Sequence, residues 1–251
     1  MTVSPSGSLT ATTVTLTGHG GDEIEAYLAR PEGDVRRGGV VLIHHLPGYD
    51  RPTKEMARRF AEMGYDCVCP NLFHREAPGA APDDAAAVGR ANGGVPDERL
   101  IGDAEGAAAY LRALPTSNGK VGVIGHCSGG RQAVLVACNS DVDAAVDCYG
   151  AFVTGTVPEG FVLRITNLVD QLPRLGAPLL GLFGGADSHP SPAEVAELER
   201  ILTELGKDFE FHSYDGAGHG FFAVDRPNYN VPAVQDGWER IEHFFGTHLE
   251  G

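Results

Sequence analysis

Apolar and polar residues alternate along two short stretches near the start of the chain. TATTVTLTG (10–18) and IEAYLARP (24–31) both carry the period-two pattern of a half-buried strand, and the turn-like GHGGDE (18–23) lies between them. They predict an antiparallel hairpin. After it the pattern changes. GGVVLIH (38–44) is continuously apolar, as expected of a strand covered on both faces. PTKEMARRFAEMG (52–64) then places Met56, Phe60 and Met63 on one helical face and closes on Gly64.

From there the two patterns take turns. YDCVCP, KVGVIG, DAAVDCYG, APLLGLFGG and FEFHSYDG read as strands. DERLIGDAEGAAAYLRAL, GGRQAVLVAC, PAEVAELERILTELG and AVQDGWERIEHFFGTHL read as helices, the third with Ser191 as N-cap and Pro192 at its first position. Strands alternating with helices predict an α/β protein: a mostly parallel central sheet with helices on both faces and the antiparallel hairpin at its N-terminal edge. Two stretches break the alternation. Residues 75–96, rich in Ala, Gly, Pro and Asp, and residues 151–176, with weak periodicity, are expected to be long loops bordering a pocket mouth. No repeat or long linker divides the chain, so one domain over 1–251 is expected.

Composition narrows the function classes. Of 251 residues 42% are hydrophobic, enough for a sizeable core, and no apolar run has the length of a membrane helix. A net charge of −15 with only 19 Lys plus Arg argues against a nucleic-acid-binding surface. The N-terminal MTVSPSGSLTATT lacks the basic and apolar regions of a signal peptide. Five cysteines, an odd number, fit a reducing cytoplasm better than a disulfide framework. Cys67, Cys69, Cys138 and Cys148 sit in apolar stretches and read as core.

Cys127 differs. It lies in GHCSGG, between the strand KVGVI and the helix GGRQAVLVAC. A G-x-C-x-G corner of this kind lifts one side chain above the C-terminal edge of a sheet, with sulfur where a nucleophile elbow carries serine. The helix start beside it favours thiolate. A triad needs an acid and then a histidine, each after a later strand. Asp187 follows APLLGLFGGA and His219 follows FEFHSYDGAG, so the order Cys127, Asp187, His219 is the one this architecture requires.

These residues also carry a resemblance. GYDCVCPNLFHREAPG, SNGKVGVIGHCSGG, FGGADSHPSP and GAGHGFF together resemble the dienelactone hydrolase family of the α/β-hydrolase superfamily. The resemblance implies one domain, a Cys–His–Asp triad at Cys127, His219 and Asp187, no metal and no organic cofactor. It also implies hydrolysis of small carboxylic esters or lactones through a thioester. The oxyanion hole is then expected from the backbone N–H groups of Ser128 and Leu46, since Pro47 has none.

The sequence departs from the family pattern at two places. Where better-known members have a glutamate that activates the thiol, this chain reads HHLPGYD, and His45 is expected to face Cys127 and tune it. The arginine that follows the catalytic histidine in members acting on dienelactone is replaced by Ala223; a second matches Arg90 or Arg99. Arg131, Tyr149 and Phe221 complete the candidate substrate contacts, while His126 is expected to turn into the core. Two other readings stand beside the hydrolase: a ligand-binding relative with little turnover, and a zinc hydrolase using His45, Cys127, Asp187 and His219. The expected partner is a small ester or lactone, with no nucleic acid and no membrane, for a monomer or homodimer.

Overall fold

The computed structural model describes residues 8–250. Its centre is an eight-stranded sheet in the order β1-β2-β4-β3-β5-β6-β7-β8. β1 (Leu9–Thr17) and β2 (Glu23–Pro31) form the antiparallel hairpin, paired from Leu9 against Pro31 to Thr17 against Glu23. β2 also runs antiparallel to β4 (Asp66–Pro70). β3 (Arg37–Ile43), β4, β5 (Ser117–His126), β6 (Ala144–Cys148), β7 (Leu179–Gly184) and β8 (Phe209–Tyr214) are mutually parallel. The continuous apolar runs mark strands buried along their whole length, as in β3, β6 and β7.

Helices cover both faces. α1 (Arg51–Glu62) and α6 (Val231–Leu249) pack Phe60, Trp238, Ile241 and Phe245 on one side. α2 (Pro82–Ala91), α3 (Asp97–Arg112), α4 (Ser128–Asn139) and α5 (Pro192–Glu204) bury Ala86, Leu100, Val134 and Leu198 on the other. α5 starts where its sequence specifies: the Ser191 hydroxyl accepts from the Glu194 N–H, and the Glu194 carboxylate accepts from the Ser191 N–H. Cys67, Cys69, Cys138 and Cys148 are buried free thiols.

One expectation needs correcting. Residues 75–96 are not a continuous loop, because α2 occupies their centre. Pro82 at the first helical position, Asp83 and Asp84 in the first turn and the alanines after them are all helix-compatible. The surrounding Gly and Pro hide that signal, and the helix has a weak apolar face built largely of alanine. Residues 151–176 are irregular as expected, with a single short 3₁₀ turn at Leu172–Arg174.

Candidate active site

The C-terminal ends of β3, β5, β7 and β8 lie along one edge of the sheet, and the chemistry-bearing side chains collect there. At the end of β5 the chain reverses directly into α4 through Cys127, which takes φ 56° and ψ −123°. A non-glycine residue rarely adopts that conformation, and its neighbours must be small for it to persist. A Cβ on Gly125 would stand 2.0 Å from the Gly129 carbonyl oxygen, and one on Gly129 would stand 2.6 Å from the Ile43 oxygen. Both glycines are therefore required by close backbone approach.

The corners after β7 and β8 are joined to each other. Gly185 N–H donates to the Tyr214 carbonyl at 2.8 Å, and Ala186 N–H to that of Ala217 at 2.9 Å. This lacing brings Asp187 and His219 side by side. Asp187 Oδ2 accepts from His219 Nδ1 at 2.9 Å, while its Oδ1 accepts from the His189 N–H at 2.9 Å. With Nδ1 engaged, His219 directs Nε2 at Cys127 Sγ, 3.0 Å away. Burial alone would lower the pKa of the imidazole. The hydrogen bonds and charges of Asp187 and Cys127 outweigh it and raise His219 to about 10.

A cavity of about 350 Å³ opens beside the sulfur, bordered by Cys127, His219, Leu46 and Ser128. Ser128 opens α4, so its N–H has no intrahelical acceptor. Among the described residues no hydrogen bond engages the Leu46 N–H either. A second, wider cleft of about 480 Å³ lies over β8 and α6, lined by residues such as Tyr214, Asp236 and Arg240. Its lining includes Ser213, but His212 beside it is engaged by Glu210 and Arg240, and the chemistry points to the first.

Several expected contacts fall elsewhere. His45 does not bond to Cys127: its Nε2 is 2.7 Å from Asp50 Oδ2, because Asp50 caps α1 directly behind the turn. Burial would raise Asp50, but the His45 hydrogen bond and charge and the Thr53 N–H overcome it and lower Asp50 to about 2. His44, the neighbour, is buried; its Nε2 accepts from the Leu72 N–H, so its Nδ1 carries the proton donated to the His45 carbonyl. Tyr149 and Phe221 are core rather than lining. Tyr149 packs edge-on behind His219 at 5.3 Å, and Phe221 packs on Tyr149 at 5.0 Å. Arg90 reaches the Leu46 carbonyl at 3.5 Å and does not border the cavity. Arg131 does border it, but its guanidinium is held by Asp97 and the Thr166 carbonyl. His126 is buried against Phe222, as expected. Among the described residues no three His, Cys, Asp or Glu side chains are gathered as metal ligands.

The sequence reading expected 151–176 to border the pocket, and Ala151, Phe152, Phe161, Leu163 and Ile165 do form the cavity's far wall, but it singled out none of them. Their one available signal was apolar residues within an aperiodic stretch. It also missed Asp147, a fully buried carboxyl at the end of β6, whose Oδ1 accepts from the Gly150 N–H at 2.7 Å while Oδ2 has no partner.

The fold has counterparts among known proteins. The model of the "Dienelactone hydrolase family" matches residues 24–249. The chain belongs to the dienelactone hydrolase family. Within that family it is 32% identical over 208 residues to a carboxymethylenebutenolidase of Pseudomonas putida, covering 80% of this chain and 82% of that one. A Yersinia pestis protein named "Putative carboxymethylenebutenolidase" is 32% identical over 233 residues, covering 91% and 85%. Among solved structures, "Putative Dienelactone Hydrolase" from Klebsiella pneumoniae superposes with a TM-score of 0.85 at 25% identity, covering 96% of this chain and all of that one. The α/β-hydrolase fold and a hydrolase of the carboxymethylenebutenolidase type follow from this membership. No helix among the described residues is long and apolar enough to cross a membrane.

Proposed function

We propose that this protein hydrolyses small carboxylic esters or lactones through a thioester on Cys127. The observation that carries the reading is the unbroken relay at the elbow: Cys127 Sγ to His219 Nε2 at 3.0 Å, and His219 Nδ1 to Asp187 at 2.9 Å.

His219 Nε2 takes the thiol proton of Cys127, and the Asp187 carboxylate on Nδ1 steadies the imidazolium that forms. The thiolate attacks the carbonyl carbon and an S–C bond forms, while the carbonyl π pair moves onto oxygen. That oxyanion is received by the Leu46 and Ser128 N–H groups. Collapse of the tetrahedral intermediate breaks the C–O bond, and His219 Nε2 gives its proton to the departing alkoxide. The neutral imidazole then takes a proton from water as the hydroxide adds to the thioester. The second collapse expels thiolate and leaves a carboxylic acid, so ester and water become acid and alcohol. Asp187 keeps Nδ1 protonated throughout and steadies the imidazolium. A small-molecule substrate, one catalytic domain over 1–251 and a cytoplasmic site of action accord with this chemistry.

The test is hydrolysis of p-nitrophenyl esters and small lactones by the native protein and by Cys127→Ala. Loss of activity to background in the variant, with a native acyl-enzyme trapped by mass spectrometry at Cys127, is expected. Equal rates in both would overturn the reading, and labelling of Cys127 without release of acid would leave a ligand-binding relative instead.

A further inference from the structure

The far wall of the cavity has a character of its own. Phe152, Phe161, Leu163 and Ile165 turn apolar side chains toward the space above Cys127. Phe152 sits at φ 62°, and the described non-glycine residues with positive φ are Cys127, Tyr149 and Phe152, all at this site. Bulky side chains are rarely held in that conformation, which marks the position as one fixed for a purpose. Its ring packs edge-on against Phe161 at 5.0 Å and tilted against His189 at 5.4 Å, so the wall is a continuous aromatic surface. Phe161 and Val162 remain 36% and 49% exposed at its rim, an apolar edge left facing water.

The wall offers no free cation to balance an anionic ligand. Its one arginine, Arg131, is 3% exposed. Nη1 and Nη2 lie 3.3 and 3.2 Å from the Asp97 carboxylate, and Nη2 also donates to the Thr166 carbonyl at 2.8 Å. Its Nε lacks a partner but is itself buried. His189, on the opposite rim, has Glu194 at 3.8 Å. A chain with a net charge of −15 surrounds the site. A carboxylate packed against this wall would lose hydration and meet no cation there that is not already paired.

We propose that the site selects neutral esters or lactones whose non-reacting part is an aryl or short alkyl group packed on Phe152 and Phe161, and discriminates against equally sized substrates bearing a free carboxylate. This rests on the hydrolase reading above but concerns the cavity wall rather than the triad. The cavity is near the lower end of ordinary ligand sites, which suits one ring and a few carbons rather than a long acyl chain.

Phenyl butyrate and monophenyl succinate are matched in length and differ in charge. For the native protein, kcat/KM for the butyrate is expected to exceed that for the succinate by ~10-fold or more. Phe161→Ala should lower the value for both substrates, which share the phenyl group, by ~5–10-fold. Asp97→Asn, which removes the charge that occupies Arg131, should narrow the preference by raising the succinate value. Binding of butyranilide and succinanilic acid to Cys127→Ala, measured by calorimetry, separates the two readings. If the anilide binds in preference to the acid while no ester is turned over, the wall assignment stands and the catalytic one fails. Cys127-dependent hydrolysis that favours the succinate, or binding of the acid as tightly as the anilide, would overturn the proposal. Failure of both ligands to bind would overturn it equally.

Discussion

The two sides of the cavity were built under different rules. The triad side consists of three sharp corners at strand ends, and each corner is imposed by backbone contacts that only particular residues permit. The facing side, from Ala151 to Ile165, is an irregular segment whose apolar side chains are placed by the cavity they enclose. A backbone-imposed corner leaves a mark in the sequence, because a glycine or a capping residue has to occupy a given position. A wall imposed by side-chain packing leaves almost none, because many apolar residues would fill the same space. The two sides should therefore respond differently to substitution.

The sharpest way to test that difference is within the glycines. Gly125→Ala would push a methyl to 2.0 Å from the Gly129 carbonyl oxygen, where neither backbone can yield without opening the elbow. We expect a loss of more than ~4 kcal/mol, read as a collapse of Tm or as insoluble protein. Gly218, beside His219 in the equally glycine-rich GAGHG, lacks a positive φ, and a Cβ there would meet nothing within 4 Å. Gly218→Ala should change stability by less than ~0.5 kcal/mol. Equal effects would mean that glycine content, not backbone approach, defines these corners.

Next in size is Asp187→Asn. It preserves the shape of the corner but presents His219 with a donor or a weaker acceptor in place of a carboxylate that accepts from both Nδ1 and the His189 N–H. A fall of ~10³–10⁴-fold in kcat with little change in Tm is expected, because the imidazole loses its fixed tautomer and the charge that steadies the imidazolium. A fall below tenfold would remove Asp187 from the relay.

These contrasts explain what was legible in advance. All eight strands, five of the six helices and the three corner residues could be read, since period, caps and glycines are local features. α2 was lost because flanking glycines and prolines outweighed an alanine-rich helix with little apolar face. Tyr149 and Phe221 were misplaced for a related reason: position beside a catalytic corner does not decide on which side of the backbone a ring falls. His45 was misassigned because its partner, Asp50, belongs to the cap of the following helix, and nothing in HHLPGYD shows that the turn folds the two together.

That pair supplies the third prediction, a moderate one. His45 and Asp50 clamp the Leu46–Gly48 turn, where Gly48 N–H donates to the His45 carbonyl at 2.8 Å. His45 is thus a positioning residue for the Leu46 N–H. His45→Ala and Asp50→Ala should each lower kcat by ~10-fold, and the double variant by no more than either single one, since both break one clamp. Additive losses would instead give His45 a separate influence on the thiol. Lowering of Asp50 to about 2 also contributes stability that is present above the unfolded carboxyl pKa, near 4, and lost as pH falls toward 2. The acid limb of a Tm profile should therefore flatten in Asp50→Ala.

The last effect belongs to Asp147, on β6 beneath the elbow helix, and it has the opposite sign. A Cβ on Gly130 would stand 2.3 Å from Asp147 Oδ1, so the carboxyl lies directly against the first turn of α4. Burial raises it to about 7, although the Gly150 N–H and the His219 charge act in the other direction. Between roughly pH 4 and 7 the folded chain keeps a proton on Asp147 that the unfolded chain has released. The unfolded state then binds fewer protons, so stability falls as pH rises through that window and levels off above it. Asn reproduces the neutral acid, with its oxygen still able to accept from the Gly150 N–H. Asp147→Asn should therefore match the native protein near pH 4–5 and exceed it at pH 8 by ~1–3 kcal/mol, or several degrees in Tm. A parallel pair of profiles would mean that the carboxylate is already stabilised in the folded state. The buried Oδ2 would then have a partner in solution, and the support beneath the elbow would be ionic rather than neutral.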